Sequence, residues 1–210
     1  MSEVAEPVVP QDKQSLRRQL RAQRRSLAPQ RDRGIDADAI AATLSAFLDT
    51  LPLTSSGTGE HSAYSRPPCV AIYRSTPVEP PTEALADMLH ARGVSVLVPE
   101  TLPDLDLEWR ELRADGSEGP RLGLEAIGAA RVILTPALAI DHEGTRLGQG
   151  GGCYDKALPR RHPDAVVVAL VNDEEYAAWL LPHDPHDVGV NAVITPGGGF
   201  RPIHGAGSVP

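Results

Sequence analysis

The chain has 210 residues, 41% hydrophobic and 23% charged, with a formal net charge of −8. That is the make-up of one globular domain with its own core, and aromatics at 4% speak against stacking platforms for single-stranded nucleic acid. Cys69 and Cys153 form no C-x-x-C pair, which excludes a disulfide framework or zinc ribbon and favours a reducing, cytoplasmic setting.

Residues 1–12 are polar and proline-containing, and are expected to form a disordered tail without the basic-then-apolar order of a signal peptide. No apolar run reaches the roughly 18 residues of a membrane span. Residues 1–33 hold 8 Lys and Arg against 4 Asp and Glu, and the remainder holds 12 against 24. An acidic body disfavours general nucleic-acid binding, while the basic leading segment suits a compact anion. Lys13 to Arg25 reads as a helix, with Leu16, Leu20 and Leu27 apolar and Lys13, Arg17, Arg21 and Arg25 repeating every fourth residue. Ile35 to Leu48 reads as a second helix that buries Ile40, Leu44, Phe47 and Leu48. Thr54 to Pro68, rich in Ser, Thr, Gly and Pro, reads as a mobile loop.

Cys69 to Tyr73 is a buried strand. A helix from about Thr82, its candidate cap, to Arg92 follows, and Gly93 stops it. Val94 to Val98 is the next strand, and Leu107 to Leu112 a more exposed one containing Trp109. Arg131 to Leu134 is a buried strand, Gly144 to Gly152 a glycine-rich loop, and Tyr154 to Arg161 a helix. Ala165 to Leu170 and Val193 to Thr195 are the last strands. Residues 197–210 are expected to fray, leaving 13–196 as a single domain. Helices alternating with strands that are apolar on every residue predict an α/β fold: three layers, a Rossmann-like, mostly parallel sheet with helices on both faces, and the N-terminal helices packed on it.

The segment richest in chemistry runs from Asp141 to Asp155 between a strand and a helix. A loop at a strand's carboxyl end is where open α/β sheets bind ligands. Gly148, Gly150, Gly151 and Gly152 let backbone N–H groups approach an anion. Arg146 adds a fixed positive fork, and Asp155 a carboxylate that can hold a divalent cation. It is neither a Walker A loop nor a dinucleotide fingerprint. Read from the residues alone, a flexible surface loop with a flanking ion pair stands beside this reading.

The run from Arg146 to Asp155, R-L-G-Q-G-G-G-C-Y-D, resembles the R-L-G-x-G-x-G-[YF]-Y-D signature of the 5-formyltetrahydrofolate cyclo-ligase (5,10-methenyltetrahydrofolate synthetase) family. Lys13 to Arg17 is similar to that family's N-terminal K-x-x-L-R. Tyr73 through Glu79 to Thr82, Gly93 to Pro99, Pro136 to Asp141, and His186 to Thr195 match further segments in order, so the likeness covers roughly residues 13–196. Two positions depart from the pattern: Cys153, where an aromatic is usual, and Gln149, often Tyr, Phe or Arg.

The resemblance implies closure of 5-formyltetrahydrofolate to 5,10-methenyltetrahydrofolate with ATP and Mg²⁺. The formyl oxygen is phosphorylated, N10 attacks the activated carbon, and phosphate leaves. It implies ATP binding by Lys13, Gln14, Ser15, Leu16 and Arg17 and by Arg146, Leu147, Gly148, Gln149, Gly150, Gly151, Gly152, Cys153 and Tyr154. Arg146 and Tyr154 are then the catalytic candidates. Arg74, Glu79 and Gln149 to Cys153 would meet the folate, with the Glu79 carboxylate on the pterin edge. Asp155 and Asp187 would hold Mg²⁺. Without the resemblance, Lys13 and Arg17 read as a solvated helix face, as Arg21 and Arg25 still do, and His183 to Asp187 as a polar turn. A catalytically silent nucleotide- or folate-binding relative is the alternative function; RNA binding through the basic helix ranks last. A monomer without nucleic-acid or membrane partners is expected.

Overall fold

The computed structural model describes residues 12–51 and 68–203. The expected tail before Asp12, the loop from Thr54 up to Pro68, and residues 204–210 lie outside the described residues. Helix α1 spans Lys13–Leu27, with the Asp12 carboxylate accepting from Ser15 N. Helix α2 spans Arg33–Thr50, capped by Asp32 on Gly34 N and Ile35 N. Gly34 therefore lies inside α2, and the separation between the helices falls at the short 3-10 turn Ala28–Gln30.

Strand β1 is Cys69–Ala71, helix α3 Glu83–Ala91, β2 Ser95–Thr101, β3 Leu107–Leu112, β4 Glu118–Arg121 and β5 Val132–Pro136. A two-stranded hairpin, β6 Ala139–Ile140 with β7 Arg146–Leu147, precedes the short helix α4, Cys153–Ala157. Strands β8 Val166–Leu170, β9 Ala192–Thr195 and β10 Gly199–Pro202 complete the chain. The eight-stranded sheet runs β10-β9-β8-β5-β1-β2-β3-β4. Its five middle strands are parallel, and β3, β4 and β10 run antiparallel at the flanks.

The middle strands are apolar on every residue because both of their faces are covered. One face packs on α2 and α3 through Leu44, Phe47, Leu85 and Leu89. The other packs on the 3-10 turn Leu124–Ala129, on α4 and on the 3-10 turn Leu158–Arg160, through Ile127, Ala157 and Leu158. Each fully buried leucine contributes about 1.5–3 kcal/mol. This is the three-layer arrangement the sequence predicts, with α2 on the sheet. Helix α1 packs elsewhere: Leu16 and Leu20 join Leu138 and Leu147 in a separate small cluster over the β6–β7 hairpin.

Several local expectations change. Thr82 sits at the N-cap of α3, but its hydroxyl accepts from Ser75 N at 3.2 Å instead of capping the helix. Strand β3 alternates buried and partly exposed, and Trp109 is completely buried in the core and does not line the cleft described below. Pro159 ends α4 early and leaves a 3-10 turn where a longer helix was expected. The segment from Gly197 does not fray at once, because Gly199–Pro202 pairs with β9 and stacks Phe200 on Phe47, 4.2 Å between ring centroids.

The topology places a site. From β1 the chain crosses one face through α3 to β2, and from β5 it crosses the opposite face through α4 to β8. The loops leaving β1 and β5, adjacent parallel strands, therefore diverge. Such a switch point opens a crevice at the strands' carboxyl ends.

Candidate active site

A cleft of about 510 Å³ occupies that crevice. Tyr73, Arg74 and Glu79 enter from the loop after β1, Pro99 and Thr101 from β2, Leu107 from β3 and Pro136 from β5. Lys13 and Arg17 of α1, Arg146, Gly148 to Asp155, Asp184, His186 and Asp187 complete the lining.

The glycine-rich loop is held open by its neighbours. Arg17 Nε donates to Gly148 O at 3.0 Å. Arg21 donates to the Gln149 side chain at 2.9 Å and to its carbonyl at 2.6 Å. Gly150 has φ +109, and a Cβ there would lie 3.7 Å from the Arg17 guanidinium. Only glycine adopts that backbone freely while Arg17 lies so close. The hairpin in front of the loop is braced by Asp141, fully buried, whose carboxylate accepts from Glu143 N, Thr145 N and Leu181 N.

At one end of the cleft the Lys13 ammonium lies 2.6 Å from Asp184 and 2.5 Å from Asp187. Burial pulls the Lys13 pKa down, but hydrogen bonds to the two carboxylates outweigh it and leave it above its ordinary value. Burial pushes Asp187 up, and Lys13, the Asp184 backbone and His183 overcome that and bring it below the usual carboxylate range. Asp184, His186 and Asp187 bring their ligand atoms within 4.8 Å of one another. Asp155 is not in that group. Its Oδ1 accepts from Arg146 Nη2 at 2.6 Å and from Val188 N at 3.0 Å.

The middle of the cleft is Arg146 over the Tyr154 ring, 5.7 Å from its centroid. Arg146 Nε and the hydroxyls of Tyr154 and Tyr73 are buried and have no hydrogen-bond partner among the described residues. Burial raises both phenols' pKa values, with Glu79 adding to each and the nearby arginine opposing, and Tyr73 rises well above the ordinary value.

At the other end, Glu79 is 9% exposed. Its Oε2 accepts from Thr76 N and Thr76 Oγ1, each at 2.9 Å. Arg33 Nη1 fixes its main chain through Glu79 O at 2.6 Å. Arg74 lines the cleft, yet its guanidinium is engaged by Glu118 of β4 at 2.7 Å.

Of the expected site residues, Lys13, Arg17, Arg74, Glu79, Arg146, Gly148 to Asp155 and Asp187 meet in this one cleft. Gln14, Ser15, Leu16 and Leu147 do not line it. Leu16 and Leu147 are buried in the small α1 cluster, and Gln14 and Ser15 turn away with the helix. Arg21 is no idle solvated residue, since it holds Gln149, and Arg25 is exposed as expected. The four-residue repeat of α1 does not single out Arg24. Four residues turn a helix about 40° past a full circle, so after three repeats Arg25 has left the face, whereas Arg24 returns to about 20° from Lys13.

Comparison with known proteins points to one family. A family profile described as the 5-formyltetrahydrofolate cyclo-ligase family matches residues 9–196. A 5-formyltetrahydrofolate cyclo-ligase of Mycolicibacterium smegmatis is 38% identical over 142 residues, 60% of this chain and 73% of that protein. The Escherichia coli K12 protein of the same name is 38% identical over 66 residues, 31% of this chain and 36% of that one. Among solved structures, a 5,10-methenyltetrahydrofolate synthetase from Mycoplasma pneumoniae matches with a TM-score of 0.64 at 18% identity, covering 87% of this chain and 97% of that chain. The synthetase of Aquifex aeolicus matches with a TM-score of 0.64 at 21% identity, covering 94% and 96%. At those identities the structures speak for the shared fold.

Proposed function

The chain belongs to the 5-formyltetrahydrofolate cyclo-ligase family, and from that premise we propose that it closes 5-formyltetrahydrofolate to 5,10-methenyltetrahydrofolate in this cleft, consuming ATP with Mg²⁺. The observation that carries the reading is what lines one cleft: the cations Lys13, Arg17 and Arg146 and the glycine-rich loop together with the recessed Glu79 carboxylate.

The formyl oxygen belongs to an amide-like group, weakly nucleophilic and a poor leaving group. Transfer of the γ-phosphoryl group from ATP forms a phosphorus–oxygen bond to it and releases ADP. N10 then attacks the activated formyl carbon, N10 loses its proton, and the carbon–oxygen bond breaks to release phosphate. The protein's contribution is positioning and charge stabilisation. Lys13 and Arg17 hold the polyphosphate from α1, the loop from Gly148 to Gly152 offers backbone donors, and Arg146 stabilises charge on the transferring group. Tyr154 supports Arg146 from beneath. Glu79 accepts from the 2-amino-4-oxo edge of the pterin, which orients N5 and N10 toward the phosphate end.

The carboxylates of Asp155 and Asp187 are hard oxygen donors suited to Mg²⁺. Asp187 with Asp184 already surrounds one cation, the Lys13 ammonium, so Asp187 fits the ion; Asp155, which lies outside that cluster and is held by Arg146, would join it once Arg146 turns to the phosphate. Bound there, Mg²⁺ would neutralise polyphosphate charge.

The test is absorbance of the methenyl product with purified protein, 5-formyltetrahydrofolate and Mg·ATP. A rise that needs both ATP and Mg²⁺ supports the reading. Saturable binding without turnover would replace it with the silent relative, and direct attention to Gln149 and Cys153.

A further inference from the structure

Helix α1 carries more than a phosphate-side cation. Eleven residues beyond Lys13, about 17 Å along the axis, Arg24 is inserted between the helix and the loops of the sheet, 3% exposed. Its Nε and Nη2 donate to the two oxygens of Glu175 at 2.5 and 2.7 Å, and Nη2 also donates to Ala137 O. Glu175 is itself fixed, because its Oε2 accepts from Asn172 N at 2.8 Å. The guanidinium plane is therefore set by three hydrogen bonds to two residues. Its remaining arm, Nη1, has no hydrogen bond and is buried. That arm lies 3.9 Å from Glu79 Oε1, too far for a hydrogen bond and close enough for a charge interaction.

The two oxygens of Glu79 are thus unequal. Oε2 is consumed by Thr76. Oε1 faces a fixed positive charge and accepts no hydrogen bond among the described residues. We propose that Arg24 is a positioning residue for the folate end of the site: from behind, it holds the Glu79 carboxylate at the cleft floor with Oε1 free to accept from the substrate.

Arg24 does not touch the ligand, since Nη1 is closed off from solvent. Its effect passes through Glu79. Burial pulls its own pKa down, but Glu175, with Glu79 behind it, more than offsets that, so the charge that faces Glu79 is retained. A buried carboxylate beside no cation would be costly, and among the described residues Arg24 is the cation that pairs with this one. One helix then serves both ends of the cleft, with Lys13 and Arg17 toward the phosphate and Arg24 behind the pterin. The inference rests on the reading of Glu79 as the pterin acceptor.

The experiment measures kcat and separate KM values for ATP and 5-formyltetrahydrofolate in the wild type, Arg24→Met, Glu79→Gln and the double variant, with folding checked by circular dichroism and Tm. Arg24→Met should raise the folate KM about 10- to 100-fold and the ATP KM less than about 3-fold. On the Glu79→Gln background the same change should add little, because its route has been removed. A folded Arg24→Met enzyme with an unchanged folate KM overturns the proposal. So does an equal rise in both KM values, which marks a merely structural tie of α1, and so does an undiminished effect on the Glu79→Gln background. If Arg24→Met does not fold, Arg24→Lys, which keeps the charge and loses the fork, takes its place. Its expected folate-KM rise is smaller, about 3- to 10-fold, and is likewise erased by Glu79→Gln. A wild type that neither binds nor converts the folate overturns the functional reading and this inference together, whereas an active wild type with indifferent Arg24 variants overturns this inference alone.

Discussion

Arg146 and Asp155 meet at 2.6 Å, guanidinium on carboxylate, at opposite ends of the glycine-rich loop. The cation proposed for phosphate and the carboxylate proposed for metal are each other's partner in the free protein. On that proposal, binding of Mg·ATP would exchange one ion pair for two new ones. Arg146→Ala is expected to raise the KM for ATP about 10- to 100-fold, with a smaller change for the folate. Asp155→Asn keeps the side chain's shape while removing its charge, and is expected to raise the Mg²⁺ concentration needed for half-maximal rate at least about 10-fold. Titrations of initial rate against ATP and Mg²⁺ check both, and a Mg²⁺ dependence unchanged in Asp155→Asn contradicts the metal assignment.

Arg21 holds Gln149 in two ways, through the side chain and through the carbonyl. The carbonyl bond does not depend on which residue stands at 149. Gln149→Ala should therefore change the KM for ATP less than about 3-fold. Arg21→Ala loses both bonds, frees the loop, and should raise that KM about 5- to 20-fold. Equal effects of the two variants would show that the side-chain bond is the one that matters.

Gly144 has φ +84, and a Cβ there would come 2.6 Å from Val190 O. Backbone cannot yield as a flexible side chain can. Gly144→Ala is expected to cost about 1–3 kcal/mol, a fall in Tm of roughly 3–10 °C. Thermal unfolding measures it, and an unaltered Tm contradicts the contact.

Tyr73 and Tyr154 keep their protons in the folded protein above the ordinary phenol value of 10.0, because burial disfavours the phenolate. In the unfolded chain both lose them near that value. The folded state therefore binds more protons above pH 10, and stability falls as pH rises. Denaturant titrations at pH 9 and 11 should show this loss, reduced in Tyr73→Phe. Absorbance at phenolate wavelengths should show these two tyrosines ionising only as the fold is lost.

The parallel centre of the sheet was legible because strands covered on both faces are continuous apolar runs, as in Val166–Leu170. The hairpin Ala139–Leu147 and strands β4 and β10 were not, since they have two to four residues and contain or adjoin Gly and Pro, which read as turns. In the site, the glycine-rich loop, Lys13 and Glu79 could be found because they lie within recognisable local patterns. Arg24 could not. Its partners, Glu175 and Glu79, lie 151 and 55 positions away, and a basic residue among seven others in residues 1–33 carries no mark of burial. The motif places Leu16 in the site, whereas the helix turns it into the small core under α1.

Both flanks of the sheet end in strands of four residues that carry a proline, Pro120 in β4 and Pro202 in β10. Each also bears an arginine, Arg121 and Arg201. Pro202 lacks the N–H that an added strand would need, since Ile203 N next to it points inward to Asn191 O, and at either edge a short charged border offers few positions for pairing. Another copy of the chain, arriving edge-on at either strand during synthesis or at high concentration, meets a short or interrupted row of donors instead of a template. The same short strands that escape notice in the sequence thus protect the molecule against growing into an aggregate.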